Sequence, residues 1–318
     1  KPRRIVFTGG GSEADNLAIK GVAFALRARG NHIITTTIEH PAVLNACQFL
    51  EGLGYRVTYL EVDEFGCLSA EKLESAMSDD TILVSIMMAN NEVGTILPIR
   101  ELATVARERG VFFHTDAVQA VGKIKVDMLS LSAHKFHGPK GVGSLYVRKD
   151  VALEPLIHGG KQESGLRAGT ENVPAIVGLG KAAELAMFAL PDLERVKVLR
   201  DRLEAGIREL IPGVKLNGQP LARLPNTLNL TLPGLRGESM VIALDWHGIA
   251  LSSGSACKSG SPEPTHVLIA MGRTAQEAHC SVRFSLSRYT TEDDIEQTIA
   301  ALEQVLKAKD IVRLVPCK

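Results

Sequence analysis

Residues 5–37, IVFTGGGSEADNLAIKGVAFALRARGNHIITTT, read as a strand, a glycine-rich turn, a helix and a second strand. The β-branched runs IVF (5–7) and HIITTT (32–37) flank a helical pattern from about Ser12 to Arg29, which is the βαβ signature. The alternation continues with a helix from about Pro41 to Leu53, the strand YRVTYLEV (55–62) and a helix near Ser69 to Met77. The strand TILVSIMM (81–88), a helix from about Ile99 to Arg109, and the strands VFFHTDA (111–117), DMLSLSA (127–133) and GVGSLYV (141–147) follow. TILVSIMM is nearly apolar throughout, as a sheet covered on both faces requires. An α/β fold is expected.

A helical region from about Val173 to Leu210 crosses Pro191, and beyond Ile211 the texture shifts to shorter elements. These are the strand LNLTL (228–232), a helix from about Glu238 to His247, the loop SSGSACKSGSPEP (252–264), the strand VRFSL (282–286) and a helix from about Thr291 to Lys307. Two domains are expected, a large one over 1–191 and a smaller α+β one over 192–318 that carries the loop.

Composition narrows the function. Of 318 residues 45% are hydrophobic, enough for one large core or two modest ones, and 36 basic residues balance 36 acidic ones. A nucleic-acid binder would show a basic footprint, so none is expected as partner. There is no run of eighteen apolar residues and thus no membrane span is expected. The cysteines at 47, 67, 257, 280 and 317 have no paired spacing. That argues against a disulfide framework or a structural zinc site, and for reduced thiols in a cytoplasmic setting with no metal. The chain opens almost directly on a strand and a tight turn, so residues upstream are expected to be missing from it.

Four places could carry chemistry. The turn FTGGGSEADN opens a helix whose free N–H groups and dipole suit an anion, although a plain tight turn with Ser12 as N-cap reads equally well. SAHKFHGPKG (132–141) sets Ser132, His134 and Lys135 at the end of an apolar strand, where ligands of α/β sheets lie. A desolvated lysine there is a nucleophile suited to an aldehyde, against the alternative of a solvated surface lysine. HTDAVQ (114–119) ends a strand with Asp116, either a helix cap or the carboxylate that keeps a pyridine nitrogen protonated in pyridoxal phosphate enzymes. Cys257 sits in the small-residue loop beside Lys258, which favours thiolate, unless it is an incidental thiol.

Together with IEHPAVL (38–44), MMANNEVG (87–94), GLRAGTENVPAIVG (165–178) and SVRFSLSRYTTEDDI (281–295), these motifs resemble the cysteine desulfurases of the aminotransferase class V fold, in particular the NifS/IscS-like group. The resemblance implies a pyridoxal-phosphate-dependent transferase type I fold, a mainly parallel seven-stranded sheet flanked by helices with a smaller α+β domain. It implies that Lys135 carries pyridoxal 5'-phosphate, that Asp116 pairs with its ring nitrogen, and that Gln119 bonds its phenolic oxygen. His40 would stack on the ring, and Asn91 would lie beside ring oxygen and substrate. Gly11, Ser12, Ser132 and His134 would hold the phosphate, and Thr170 would reach that of a partner subunit in a homodimer. His134 would have no catalytic part. Arg283 would bind the substrate carboxylate, for which a guanidinium fork suits.

The implied reaction converts L-cysteine to L-alanine and a Cys257 persulfide, passed to an acceptor or scaffold protein for iron–sulfur cluster or thio-cofactor assembly. His40 would serve as proton donor. A selenocysteine lyase and a catalytically silent scaffold subunit are the alternatives. The family pattern also extends upstream of FTGGG and is longer between VGKI (121–124) and VDMLSLSAHKF (126–136), where a crossover between parallel strands needs about a dozen residues. Either residues are missing from the sequence at these places, the favoured expectation because the motifs on both sides are intact, or the chain has lost local structure there.

Overall fold

The computed structural model describes residues 4–119, 126–254 and 263–308. They form two compact units. The first takes the chain up to residue 61 with 68–89 and 97–188, and the second takes 62–67, 90–96 and the chain from 189 onward.

The first unit runs β1 (Ile5–Thr8), α1 (Gly11–Ala25), β2 (His32–Thr36), α2 (Pro41–Glu51), β3 (Arg56–Leu60) and α3 (Ala70–Ala76). It continues with β4 (Thr81–Ser85), α4 (Ile99–Glu108), β5 (Phe112–Asp116), β6 (Met128–Ser132), β7 (Gly143–Val147) and α5 (Val173–Phe188). Its seven strands form one sheet in the order β1-β7-β6-β5-β4-β2-β3. Pairing is parallel from β6 through β5, β4 and β2 to β3. β7 is antiparallel to both β6 and β1. Two reversals restore direction, so β1 ends on the same sheet edge as β2, β4, β5 and β6. This mainly parallel seven-stranded sheet flanked by helices is the expected α/β architecture. Every residue of β2 and β4 is buried, as a sheet covered on both faces requires, and the buried polar side chains of β2 are hydrogen-bonded, His32 to Thr81 and Thr58, Thr35 to the Ser85 carbonyl and Thr36 to Glu39. On one face α1 buries Leu17, Ala18, Ile19, Val22 and Ala23 in a core shared with Ile33, Leu83, Met128 and Leu145.

Residues 117–127 connect β5 to β6, and 120–125 lie outside the described residues. The helical region expected across Pro191 is two α-helices, α5 and α6 (Leu193–Leu210), with a one-turn 3-10 segment Leu190–Asp192 between them. Proline lacks the N–H that a continuous helix would need there.

The second unit adds β8 (Lys215–Asn217), β9 (Thr227–Thr231), α7 (Gly237–Asp245), α8 (His266–Ala270), α9 (Ala275–His279), β10 (Ser281–Ser285) and α10 (Glu292–Lys307). Its three strands pair antiparallel in the order β10-β9-β8. Leu199, Leu203, Ile207, Leu228, Leu230, Val282, Leu302 and Val305 fill its core. Cys47, buried, and Cys67, half-buried, are free thiols. No single helix among the described residues is long and apolar enough to cross a membrane.

Candidate active site

In open α/β sheets the carboxyl ends of the strands form the ligand edge. Here five strands deliver their following residues to it. After β1, the chain turns through Gly9 and Gly10 into α1, whose N-cap is Gly10 and has no side-chain cap bond. Ser12 is therefore in the first turn of the helix and is not its cap, a departure from one of the two readings of this turn. The first N–H groups of α1 are left open, as an anion site requires. Gly9, Gly10, Gly11, Ser12, Ser132, His134 and Lys140 line one cavity of about 570 Å³. A Cβ on Gly11 would stand 3.0 Å from Val118 Cγ2 and 3.2 Å from Ser132 Cβ, whereas Gly10 faces open space.

Ser132 is buried at the end of β6, and its Oγ lies 2.9 Å from His134 Nδ1. Burial first, then the Lys135 and Lys140 charges, depress the His134 imidazole. Lys135 follows in a single 3-10 turn, Ala133–Phe136. His137 (φ 67°) closes that turn in the left-handed region, and a Cβ on Gly138 would meet Ala133 Cβ at 2.9 Å. The turn is thus rigid, but the Lys135 side chain is exposed. The expectation of a desolvated amine does not describe it, because one turn past the strand end the side chain clears the sheet. Thr170 lies in an adjoining cavity of about 250 Å³ that it shares with Thr8, Gly9 and Gly141.

Asp116 ends β5 at 7% exposure, its Oδ1 accepting the Val118 N–H at 2.9 Å. Burial pushes this carboxyl up to about 6, against that hydrogen bond and the Lys135 charge. Gln119 follows, half-buried, in the turn after β5. His40 caps α2, its Nδ1 accepting the Ala42 N–H at 3.1 Å. All of these belong to the first unit.

Asn91 and Arg283 belong to the second unit, which the structure brings together: Arg283 Nη1 donates to the Asn91 carbonyl at 2.8 Å. Arg283 is also fixed by paired backbone bonds with Ser252 at 3.2 and 2.6 Å. Cys257 lies outside the described residues.

Sequence reasoning gave no site role to three buried ionisable groups of the first unit, Asp15 being read there only as part of a helix-start signal with Ser12. Glu39, fully buried beside His40, accepts the Thr36 hydroxyl at 2.7 Å and the Met87 N–H at 3.0 and 3.1 Å. Burial pushes it up to about 8, with Asp116 adding a smaller push. His114 is depressed to about 3 by burial, and burial, then Asp116, raise Asp15 well above its ordinary value. The available signal was a charge placed in an apolar pattern, Asp15 on the inner face of α1 and His114 within VFFHTDA. Lys140, the remaining cation of the larger cavity, was quoted within HGPKG without a role.

A family model described as aminotransferase class-V matches residues 1–298. Among curated relatives, the cysteine desulfurase IscS of Clostridium botulinum is 52% identical over 315 residues, covering 96% of this chain and 79% of that protein. The cysteine desulfurase IscS of Methanosarcina thermophila is 51% identical over 321 residues, 98% of this chain and 79% of that one. Among solved structures, a NifS-like protein superposes with a TM-score of 0.90 at 40% identity over 97% of this chain and 84% of its own. SspA in complex with cysteine superposes with a TM-score of 0.78 at 41% identity over 92% of this chain and 83% of its own.

Proposed function

Because this chain belongs to the aminotransferase class-V family, we propose that it is a cysteine desulfurase dependent on pyridoxal 5'-phosphate. The observation that carries the reading is one sheet edge bearing an uncapped helix start, a buried carboxyl and a lysine on a rigid turn. These residues fit the cofactor. The open N–H groups of α1 beside Ser132 and His134 suit its phosphate, and Asp116 suits a protonated ring nitrogen. When bound, pyridoxal phosphate accepts the negative charge that builds up at the substrate α-carbon.

The chain's own residues supply the rest. Lys135 Nζ would hold the cofactor and serve as the base for the substrate's α-proton, and Asp116 would keep the ring nitrogen protonated. Gln119 would bond the ring oxygen, Asn91 would be the residue beside ring oxygen and substrate, and His40 would cover the ring and act as proton donor. Gly11, Ser12, Ser132 and His134 would hold the phosphate, and Thr170 would reach that of a second copy. Arg283 fixes the substrate carboxylate bidentately. Cys257 takes the sulfur, so that L-cysteine and one thiol become L-alanine and one persulfide, with atoms conserved. A sulfur-acceptor protein of iron–sulfur cluster or thio-cofactor assembly then receives it in the cytoplasm. A homodimer is supported by α5, which exposes Val173, Val177, Met187 and Phe188 at 59, 66, 62 and 73% on one face.

The test is the purified chain supplied with pyridoxal phosphate. A visible absorbance band is expected, abolished by Lys135→Ala. Cys257→Ser should keep the band and release no sulfide from cysteine under reductant. A chain that stays colourless refutes the reading, and selenide release from selenocysteine far outrunning sulfide release from cysteine would replace it by a selenocysteine lyase.

A further inference from the structure

The inference rests on the proposed placing of the cofactor phosphate at the start of α1, and concerns a carboxylate that stands in that place. Glu13 lies in the first turn of α1 and lines the cavity of about 570 Å³ with Gly9, Ser12, Ser132, His134 and Lys140. Its Oε2 accepts the Gly9 N–H at 2.7 Å, which ties the glycine-rich turn to the helix it opens. A Cβ on Gly9 would meet Glu13 Oε2 at 2.9 Å, so glycine lets the carboxylate lie this close. The tether has an electrostatic cost, because it sets a negative charge on the wall of a cavity otherwise suited to an anion.

Arg167 offsets that charge. Its Nε donates to Glu13 Oε1 at 2.8 Å and its Nη2 to Glu13 Oε2 at 3.3 Å, the two-pronged arrangement in which a guanidinium holds a carboxylate. The two side chains are only 25 and 26% exposed, so water and salt screen the pair less than they would on an open surface. Of the other ionisable groups on the wall, the depressed His134 imidazole is neutral and Lys140 is a cation. Without Arg167, Glu13 would cancel Lys140; with it, the wall is left net positive.

The same arginine belongs to the segment that carries Thr170, three residues further on. Glu163 (φ 47°) and Ser164 (φ 60°) of this segment both lie in the left-handed region, which such residues keep only where their surroundings impose it. Two tethers to the β1–α1 region do so. Glu163 Oε2 accepts the Phe7 N–H of β1 at 2.9 Å, and Glu13 holds Arg167. Glu163, Arg167 and Thr170 line the adjoining cavity of about 250 Å³, where the Glu163 charge also acts on Arg167.

We propose that Arg167 is a positioning residue for phosphate binding at α1: by holding Glu13 it lets the glycine-rich turn keep its carboxylate tether without repelling an anion, and it fastens the segment of Thr170 to that turn. Arg167 touches no ligand in this role.

The experiment compares pyridoxal 5'-phosphate with pyridoxal, the same aldehyde without the phosphate. Each is titrated by its visible band into the full chain as wild type, Arg167→Gln, Glu13→Gln and the double variant. A bare carboxylate several ångströms from a phosphate dianion at a half-buried site weakens its binding by about tenfold or more. Arg167→Gln should therefore weaken pyridoxal phosphate about tenfold more than pyridoxal. Glu13→Gln alone should leave the ratio of the two affinities unharmed, since glutamine keeps an acceptor for Gly9. The double variant, which also removes the stranded charge, should return that ratio to within about threefold of wild type.

An arginine that served structure alone would lower both affinities alike, so equal weakening by Arg167→Gln overturns the proposal. So does a double variant no better than Arg167→Gln. If Arg167→Gln does not fold, Arg167→Lys decides: it keeps the charge without the fork, so the ratio should stay within about threefold, and a tenfold fall overturns the proposal. A wild-type chain that gives no band with either aldehyde defeats the cofactor reading alone, and inorganic phosphate then decides. At constant ionic strength phosphate should raise the urea unfolding midpoint of wild type and the double variant but not of Arg167→Gln. A wild-type midpoint that phosphate leaves unmoved, or an equal rise in Arg167→Gln, overturns the proposal.

Discussion

Replacing Glu39 by glutamine should make the first unit's stability less dependent on pH on the alkaline side. Glu39 is fully buried, and the hydrogen bonds from Thr36 and Met87, which favour its charged form, are outweighed by desolvation. The carboxyl moves from 4.5 up to about 8. The sign follows: folded Glu39 binds its proton more tightly than the unfolded chain does. Its stabilising contribution is complete below 4.5, declines as pH rises, and is exhausted once pH passes about 8. Taken at face value, that displacement corresponds to about 5 kcal/mol lost across the window, and relaxation of the folded state makes about 3 a reasonable floor. Glutamine keeps the shape and the acceptor oxygen while removing the ionisation. The assay is urea unfolding of wild type and E39Q at several pH values from about 5 to 9, read as the difference between the two free energies. The difference cancels contributions from His32 and His114, whose depressed imidazoles act on the acid side. E39Q should lose less stability than wild type by about 3 kcal/mol or more at the alkaline end. Two curves that stay parallel would refute the argument that burial decides the ionisation of this group.

Three further outcomes are expected. His114→Ala removes the imidazole between Ser85 and Ser130 and opens a void in the sheet, so unfolding in urea should show a loss of about 3 kcal/mol. Asn217→Leu in the second unit removes the buried Nδ2 that donates to Asn229 Oδ1 at 2.9 Å and the Oδ1 that accepts from Arg273 Nε at 3.0 Å, and should cost about 2 to 4 kcal/mol by the same measurement. Gly143→Ala would set a Cβ 2.5 Å from the Gly10 carbonyl carbon and 2.7 Å from the Leu131 oxygen, both backbone atoms. It should shift the glycine-rich turn and weaken pyridoxal phosphate binding, measured by titration of the visible band, while Gly141→Ala, at a glycine with open space around its Cβ and φ 78°, reports turn strain alone.

Much of the first unit was legible in the chain because its signals are local. The β-branched runs, the helical spacing between them and the apolar TILVSIMM announce strands, helices and a sheet covered on both faces. The strand-end positions of Asp116 and Lys135 follow from that, as does the glycine-rich entry to α1. Where elements begin and end was set by chemistry that period alone does not show: Gly10 caps α1 in place of Ser12, and Pro191 splits one expected helix into two.

Tertiary structure decided the rest, because burial and through-space neighbours are sums over residues distant in sequence. Residues 90–96 lie among first-half elements yet join the second unit, where Asn91 meets Arg283. Lys135 reads as a candidate for desolvation but stands in solvent, while Asp15, Glu39 and His114 read as ordinary polar residues and are the ones buried. A sequence states which side chains can ionise. The dielectric around each of them, and hence which will, exists only once β4, β5, β6 and α1 have closed on one another.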